Sequence, residues 1–170
     1  MLRVDLVRLG REGELQVEGV IGPDDPLLRG SRIRFVSPLR VKLLATLAGS
    51  GEVVVRGNVQ GSLEQECRRC LVKLTPSLDT ELTLVFAPAD ELGEDQGGDV
   101  YPLEADAMRL DVGEAIREEL LLTVPAYEFC SEDCKGFCSG CGANLNEEEC
   151  RCTTEEAAPR WDVLRTLGSE

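Results

Sequence analysis

An α+β, β-rich fold is predicted: an antiparallel sheet or partly open barrel with one or two short helices, followed by a cysteine-rich C-terminal element. Three observations carry this. Two long runs of period-2 alternation, residues 53–66 and 71–86, flank a Cys-x2-Cys. A helical pattern over residues 111–122 stops ahead of Pro125. Six of the eight cysteines crowd between Cys130 and Cys152, in a 170-residue chain without histidine.

The elements follow in order. Residues 2–9 and 14–21 read as short strands around a turn at Gly10–Gly13, and Gly22–Pro26 is a loop by composition. Arg32–Val36 and Val41–Leu47 are expected strands, parted by Ser37-Pro38. Next, Val53, Val55, Gly57, Val59, Gly61 and Leu63 share one face of a strand, opposite Arg56, Asn58, Gln60 and Glu64. After Cys67-Arg-Arg-Cys70 the alternation resumes, with Leu74, Leu78, Leu82, Leu84 and Phe86 against Lys73, Thr75, Asp79 and Glu81.

Residues 87–100, acidic and glycine-rich, read as a flexible linker. Asp111 is placed to cap the helix, with Glu114 reaching back in a capping box. A final short helix is expected over Pro159–Leu167, docked by Trp161 and Leu164. The chain therefore divides into a β-rich domain 1–86 with a Cys-x2-Cys hairpin tip, a linker 87–100, and a helix-plus-cysteine region 101–170.

The net charge of −14 argues against a protein that coats nucleic acid generally. Its distribution is uneven. Residues 1–86 hold 12 basic and 11 acidic side chains; residues 87–170 hold 6 and 21. Pro26 to Gly51 contains no acid but carries Arg29, Arg32, Arg34, Arg40 and Lys42. That stretch reads as the solvated face of a strand or as a local basic patch. The chain opens without an apolar leader, and its longest apolar stretch is too short to span a bilayer. A cytoplasmic protein with reduced thiols is expected, so the cysteines point to metal or redox chemistry rather than disulfides.

The cysteine spacing is Cys130-x3-Cys134-x3-Cys138-x2-Cys141-x8-Cys150-x-Cys152. These are spacings of zinc knuckles, and without histidine the ligands must be sulfur. The first choice of ligands is Cys138, Cys141, Cys150 and Cys152, two close pairs separated by a short loop. Cys130 and Cys134 either replace the last pair or combine with Cys67 and Cys70. A thioredoxin-type redox pair requires a helix after Cys-x2-Cys, whereas a strand pattern follows Cys70. Arg68 and Arg69 project from that hairpin tip, either to meet phosphate or simply solvated.

Catalytic chemistry is poorly provided for. Absence of histidine removes the usual general base and the Ser-His-Asp and Cys-His systems. Phosphate-binding glycine loops are missing as well. An all-thiolate zinc site is typically closed and structural, without the open position catalysis needs.

Three blocks together resemble the bacterial YceD family, described as large ribosomal RNA subunit accumulation proteins. They are Gly61-Ser-Leu-Glu-Gln-Glu-Cys67-Arg-Arg-Cys70-Leu71, the helix Asp111–Leu122, and Cys134-Lys-Gly-Phe-Cys138-x2-Cys141-Gly-Ala-Asn144-Leu145-Asn146 with Cys150-x-Cys152. The resemblance spans roughly Arg32 to Leu167. It implies a bacterial cytoplasmic role in synthesis, processing or stability of large-subunit ribosomal RNA, and it supplies no active-site residues. The function expected is a non-catalytic assembly factor. Its partner is ribosomal RNA, through Arg32, Arg34, Arg40, Arg68 and Arg69, or a basic large-subunit ribosomal protein, through the acidic half. The alternative is a thiol- or metal-dependent enzyme acting on RNA or a redox partner.

Overall fold

The computed structural model of the chain describes residues 2–49, 51–90, 92 and 100–152. The first strand is only β1 (Arg3–Asp5), because helix α1 (Leu6–Glu12) replaces the second half of the expected strand. The caps explain the difference. The Asp5 carboxylate accepts from the Arg8 N–H at 2.9 Å, and Gly13, at φ 79°, closes the helix by donating to the Leu9 carbonyl. Strand β2 (Glu14–Ile21) follows as expected, then a short 3₁₀ turn at Pro26–Leu28.

The middle of the chain is β3 (Arg34–Phe35), β4 (Leu39–Leu47), β5 (Val53–Glu66), β6 (Lys73–Leu74) and β7 (Ser77–Pro88). The second alternating run is thus two strands. Pro76 has no N–H to give a ladder, while its carbonyl still accepts from the Leu63 N–H at 3.2 Å. Strand β8 (Val100–Leu103) pairs parallel to β7, β9 (Arg109–Asp111) pairs with β1, and helix α2 spans Gly113–Thr123. The main sheet is open, ordered β2-β4-β5-β7-β8, and antiparallel except at the β8 edge.

Alternation sets which face is covered. Leu39, Val41, Leu43 and Ala45 of β4, Val53, Val55, Val59 and Leu63 of β5, and Leu78, Leu82, Leu84 and Phe86 of β7 all point inward. Leu9 of α1 and Ala115, Ile116 and Leu120 of α2 join them in one buried cluster. That cluster draws on both sides of residues 87–100, so α2 shares the core of the β-rich part. Most of the expected linker, residues 91 and 93–99, lies outside the described residues, as does the expected helix at 159–167. The expected capping box at α2 does not form. Asp111 is the last residue of β9. Its Oδ1 accepts from the Gly113 N–H at 3.1 Å and its Oδ2 pairs with Arg3 at 3.2 Å, leaving Val112 at the cap without a side-chain bond.

Glycine spacing on β5 lets the strands approach closely. A Cβ on Gly57 would run into the Lys42 carbonyl oxygen and stand 2.8 Å from the Leu43 Cα, whereas a Cβ on Gly10 of α1 would meet nothing. Two Gly→Ala changes therefore have opposite signs. Gly57→Ala is expected to cost about 1–3 kcal/mol or more through strand displacement. Gly10→Ala is expected to stabilise by roughly 0.5–1 kcal/mol through helix propensity. Urea denaturation of both variants checks the pair.

Candidate functional site

The eight cysteines fall into two groups of four. Cys67, Cys70, Cys130 and Cys134 form one tetrad; Cys138, Cys141, Cys150 and Cys152 form the other, with the sulfurs of each group within 4.8 Å of one another. The first-choice ligands thus stand together, and of the alternatives for the remaining four, Cys130 and Cys134 meet Cys67 and Cys70.

The first tetrad sits at the end of β5. The strand delivers Cys67 to the tip, where a tight turn brings the Leu71 N–H to the Cys67 carbonyl at 2.9 Å and the Cys67 N–H to the Val72 carbonyl at 2.9 Å. The 130–134 segment is fastened to this turn by backbone and side chain alike. The Arg68 N–H donates to the Glu128 carbonyl at 2.9 Å, and one Arg69 guanidinium nitrogen donates to the Glu132 and Cys134 carbonyls at 3.0 and 2.9 Å. Sulfurs then face each other at 3.8 Å (Cys67–Cys134) and 3.6 Å (Cys70–Cys130). Cys67, Cys70 and Cys134 are buried; Cys130 is exposed.

The second tetrad is built upon the first. Gly136, at φ 72°, turns the chain so closely that a Cβ there would lie 2.8 Å from the Arg69 carbonyl oxygen. The Phe137 N–H donates to that same oxygen at 3.1 Å. Cys138 to Gly142 then repeats the first turn: the Gly142 N–H bonds the Cys138 carbonyl at 3.0 Å and the Cys138 N–H bonds the Ala143 carbonyl at 2.8 Å. Asn146 links the two layers, donating to the Cys134 Sγ at 3.5 Å and accepting from the Lys135 N–H at 2.8 Å. Cys138 lies 3.3 and 3.6 Å from Cys150 and Cys152. This tetrad is the more open, with Cys141, Cys150 and Cys152 exposed.

The donor sets fit a thiophilic cation. Tetrahedral thiolate coordination with metal–sulfur bonds of about 2.3 Å separates the sulfurs by about 3.8 Å, close to the spacings present. Protonation is uneven within each group. Burial pushes the Cys67 thiol up, but backbone N–H groups of Cys130, Cys70 and Arg69 outweigh it and bring the thiol down to about 6. The N–H groups of Cys141 and Gly140 hold Cys138 at about 6. At Cys70 the Val72 N–H favours the thiolate, yet desolvation and the neighbouring thiols push it up to about 12. Crowding by Cys138, Cys141 and Cys150 pushes Cys152 up to about 12. Cys67 in the first tetrad and Cys138 and Cys141 in the second take the charge readily while Cys70, Cys130, Cys150 and Cys152 resist, because thiolates this close repel unless a cation sits among them.

The expected basic residues of the Pro26–Gly51 stretch stand among acids. Arg34 pairs with Glu64 at 3.3 Å and lines a depression of about 290 Å³ with Arg32 and Asp24. Arg40 lies on the outer face of the sheet in the row Val20, Arg40, Gln60, Asp79; the next row is Glu18, Lys42, Asn58, Glu81. Acids on the flanking strands thus offset the bases on the central ones. Arg68 and Arg69 stack on aromatic rings that sequence reasoning passed over, Tyr127 at 4.5 Å and Phe129 at 4.7 Å. Leu71, which ends the Gly61–Leu71 block, stands in the left-handed conformation at φ 55°, which costs a non-glycine residue about 1 kcal/mol. The available signal was a leucine in the slot that glycine fills after Cys141.

Fold and site together define a β-rich domain carrying a cysteine-held C-terminal element. The family model described as "Large ribosomal RNA subunit accumulation protein YceD" matches residues 55–168, a span that includes all eight cysteines, and the chain belongs to that family. An uncharacterised protein of Mycobacterium tuberculosis is 27% identical over 173 residues, covering 99% of this chain and 83% of the relative. The protein YlbN of Bacillus subtilis, also uncharacterised, is 33% identical over 143 residues, 81% of this chain and 78% of the relative. A chloroplastic large ribosomal RNA subunit accumulation protein of Arabidopsis thaliana, YCED homolog 1, is 34% identical over 62 residues, 36% of this chain and 19% of its own length. No solved structure matches the chain significantly.

Gly140 offers a direct test of the second tetrad, since a Cβ there would stand 2.6 Å from the Cys152 Sγ. Gly140→Ala is expected to abolish cation binding by the second tetrad and spare the first. Titration with cobalt, followed by its thiolate absorption, should then saturate at about half the wild-type amplitude.

Proposed function

We propose that this protein is a non-catalytic factor that supports accumulation of large-subunit ribosomal RNA and assembly of the ribosome, acting by binding. Membership of the YceD family carries the reading. The donor chemistry supports it: both tetrads are all-cysteine and the chain lacks histidine, a combination suited to structural zinc and short of the groups that general acid–base or nucleophilic catalysis employs. Cys67, Cys70, Cys130 and Cys134 would hold one zinc, and Cys138, Cys141, Cys150 and Cys152 a second. Bound zinc would add folding free energy to a region with little apolar core. We place the protein in the bacterial cytoplasm, where thiols stay reduced.

The partner we favour is a basic large-subunit ribosomal protein. Residues 87–170 hold 21 acidic against 6 basic side chains, a counter-surface for cationic ribosomal proteins. Ribosomal RNA is the second reading. It would engage Arg32, Arg34 and Arg40, against the repulsion of a −14 chain.

Two measurements test this. Protein prepared under reducing conditions should carry two zinc ions per chain, and a content well under one overturns the metal assignment. Salt-dependent binding separates the partners. If RNA is bound, Arg32, Arg34 and Arg40 changed to glutamate should weaken binding, with each lost phosphate contact flattening the log–log salt slope by roughly 0.7–0.9. If a ribosomal protein is bound, those changes should matter little. Neutralising Glu147, Glu148 and Glu149 together with Glu155 and Glu156 should instead weaken binding in a salt-sensitive way. Association indifferent to both charge sets and to salt would contradict either version.

A further inference from the structure

The string Ala143-Asn144-Leu145-Asn146 follows the second cysteine turn and supplies no ligand to either tetrad. It lies in the loop between Cys141 and Cys150, whose ends both belong to the second tetrad. Yet its last residue serves the first. The Asn146 Nδ2 donates to the Cys134 Sγ at 3.5 Å, and among the described residues no other side chain apart from cysteine donates to a cysteine sulfur.

The direction of this bond is fixed by its neighbours. The Lys135 N–H donates to the Asn146 Oδ1 at 2.8 Å. A backbone N–H can only donate, so the amide oxygen faces Lys135 and the amide nitrogen faces Cys134. Asn144 holds the same residue from the other side. Its Oδ1 accepts from the Asn146 backbone N–H at 3.2 Å and from the Asn146 Nδ2 at 2.8 Å. Both hydrogens of the amide therefore have a target, one the Asn144 oxygen and the other the sulfur.

Cys134 is a place where such a donor counts. It is 4% exposed, which leaves little room for water to donate instead. A dication among four thiolates leaves two negative charges in excess, and an N–H donated to one sulfur offsets part of that charge. Losing an outer partner of this kind typically lowers metal affinity about 10–100-fold.

Where the donor stands depends on the other tetrad. The loop residues from Gly142 to Glu149 are half-buried or exposed, so burial restrains them weakly. The Leu145 N–H ties the loop to the Gly136 carbonyl at 2.8 Å, in the segment that joins the tetrads. A cation held by Cys138, Cys141, Cys150 and Cys152 would close the loop at its two ends and so restrict where Asn146 can lie.

We propose that Asn146 is a positioning residue for the metal site of the first tetrad, presented by the loop that the metal of the second tetrad closes, so that filling either tetrad tightens the other. The inference rests on the zinc reading above. Coupling of this kind is reciprocal, with each metal raising the affinity for the other by the same factor.

Asn146→Asp and Asn146→Leu test it on the full chain. The carboxylate keeps an acceptor for the Lys135 N–H but offers no N–H to the sulfur; leucine has a similar shape and no charge. Cadmium is the probe, since it is thiophilic and its NMR resonances distinguish the two tetrads. The signal lost in Cys150→Ser/Cys152→Ser belongs to the second. Competition with a chelator then gives each affinity. Both Asn146 variants are expected to bind cadmium at the first tetrad about tenfold more weakly or worse, with a shifted resonance. Cys150→Ser/Cys152→Ser should weaken the first tetrad to a similar extent, and adding Asn146→Leu to it should cost little more. The melting temperature of the metal-free chain should not move. Unaltered affinity at the first tetrad in Asn146→Leu overturns the inference, whether or not Asn146→Asp loses affinity through its charge. An Asn146→Leu effect of full size in the Cys150→Ser/Cys152→Ser chain overturns the coupling. A lowered melting temperature of the metal-free variants shows that Asn146 serves the fold and overturns its role toward the metal. All three results leave the zinc reading standing, whereas a wild-type chain that takes up neither zinc nor cadmium overturns both.

Discussion

Four sulfur atoms meeting at the end of β5 are the constraint on which the C-terminal part of this protein depends. Cys67 and Cys134 are 67 residues apart in sequence, and Cys70 and Cys130 are 60 apart, yet their sulfurs lie within 3.8 Å. Closing a loop of that length is entropically unfavourable, and little apolar burial offsets it locally. Among the described residues, the buried group around this tetrad is Cys67, Cys70 and Cys134, with Leu74 packed alongside. A small segment with so little core needs a cross-link or a metal to hold its shape.

The main hydrophobic cluster does different work. It holds helices α1 and α2 to the inner face of the sheet and so makes a rigid base from which β5 extends. The β5 tip carries the first tetrad, the first tetrad positions Gly136, and Gly136 starts the second tetrad against the Arg69 carbonyl. Order therefore passes from sheet to tip to outer tetrad, with burial falling at each stage. The outer tetrad, mostly exposed, has the least burial to hold its shape.

Comparison of the two cysteine turns separates what folding requires from what it does not. Both carry a left-handed residue after the second cysteine, a conformation that turns the following carbonyl, of Val72 or Ala143, back to accept from the first cysteine's N–H. Gly142 adopts it at no steric cost. Leu71 adopts it under strain, in the turn that also carries the arginines and aromatic rings.

By itself the sequence determined the β-rich class, the inward faces of β4, β5 and β7, and helix α2 and its stop, and its first choice of four cysteines, Cys138, Cys141, Cys150 and Cys152, is a group that stands together. Period-2 alternation and close cysteine spacing are local signals that survive without coordinates. Helix α1 is concealed because Leu2 to Leu6 alternates as a strand that Val7 to Leu9 extends with apolar residues; its two caps, Asp5 and Gly13, decide for helix. The break at Pro76 was readable from proline alone, yet the apolar alternation on either side concealed it. Tertiary structure alone decided the first tetrad, since nothing local joins Cys67 and Cys70 to partners 60 or more residues away. It alone also set acids beside the basic stretch, because register decides which residues of β2 and β7 share rows with Arg40 and Lys42. And it alone left Leu71 facing solvent, since whether an apolar residue is covered depends on the elements packed around it, which neighbouring residues in sequence do not specify.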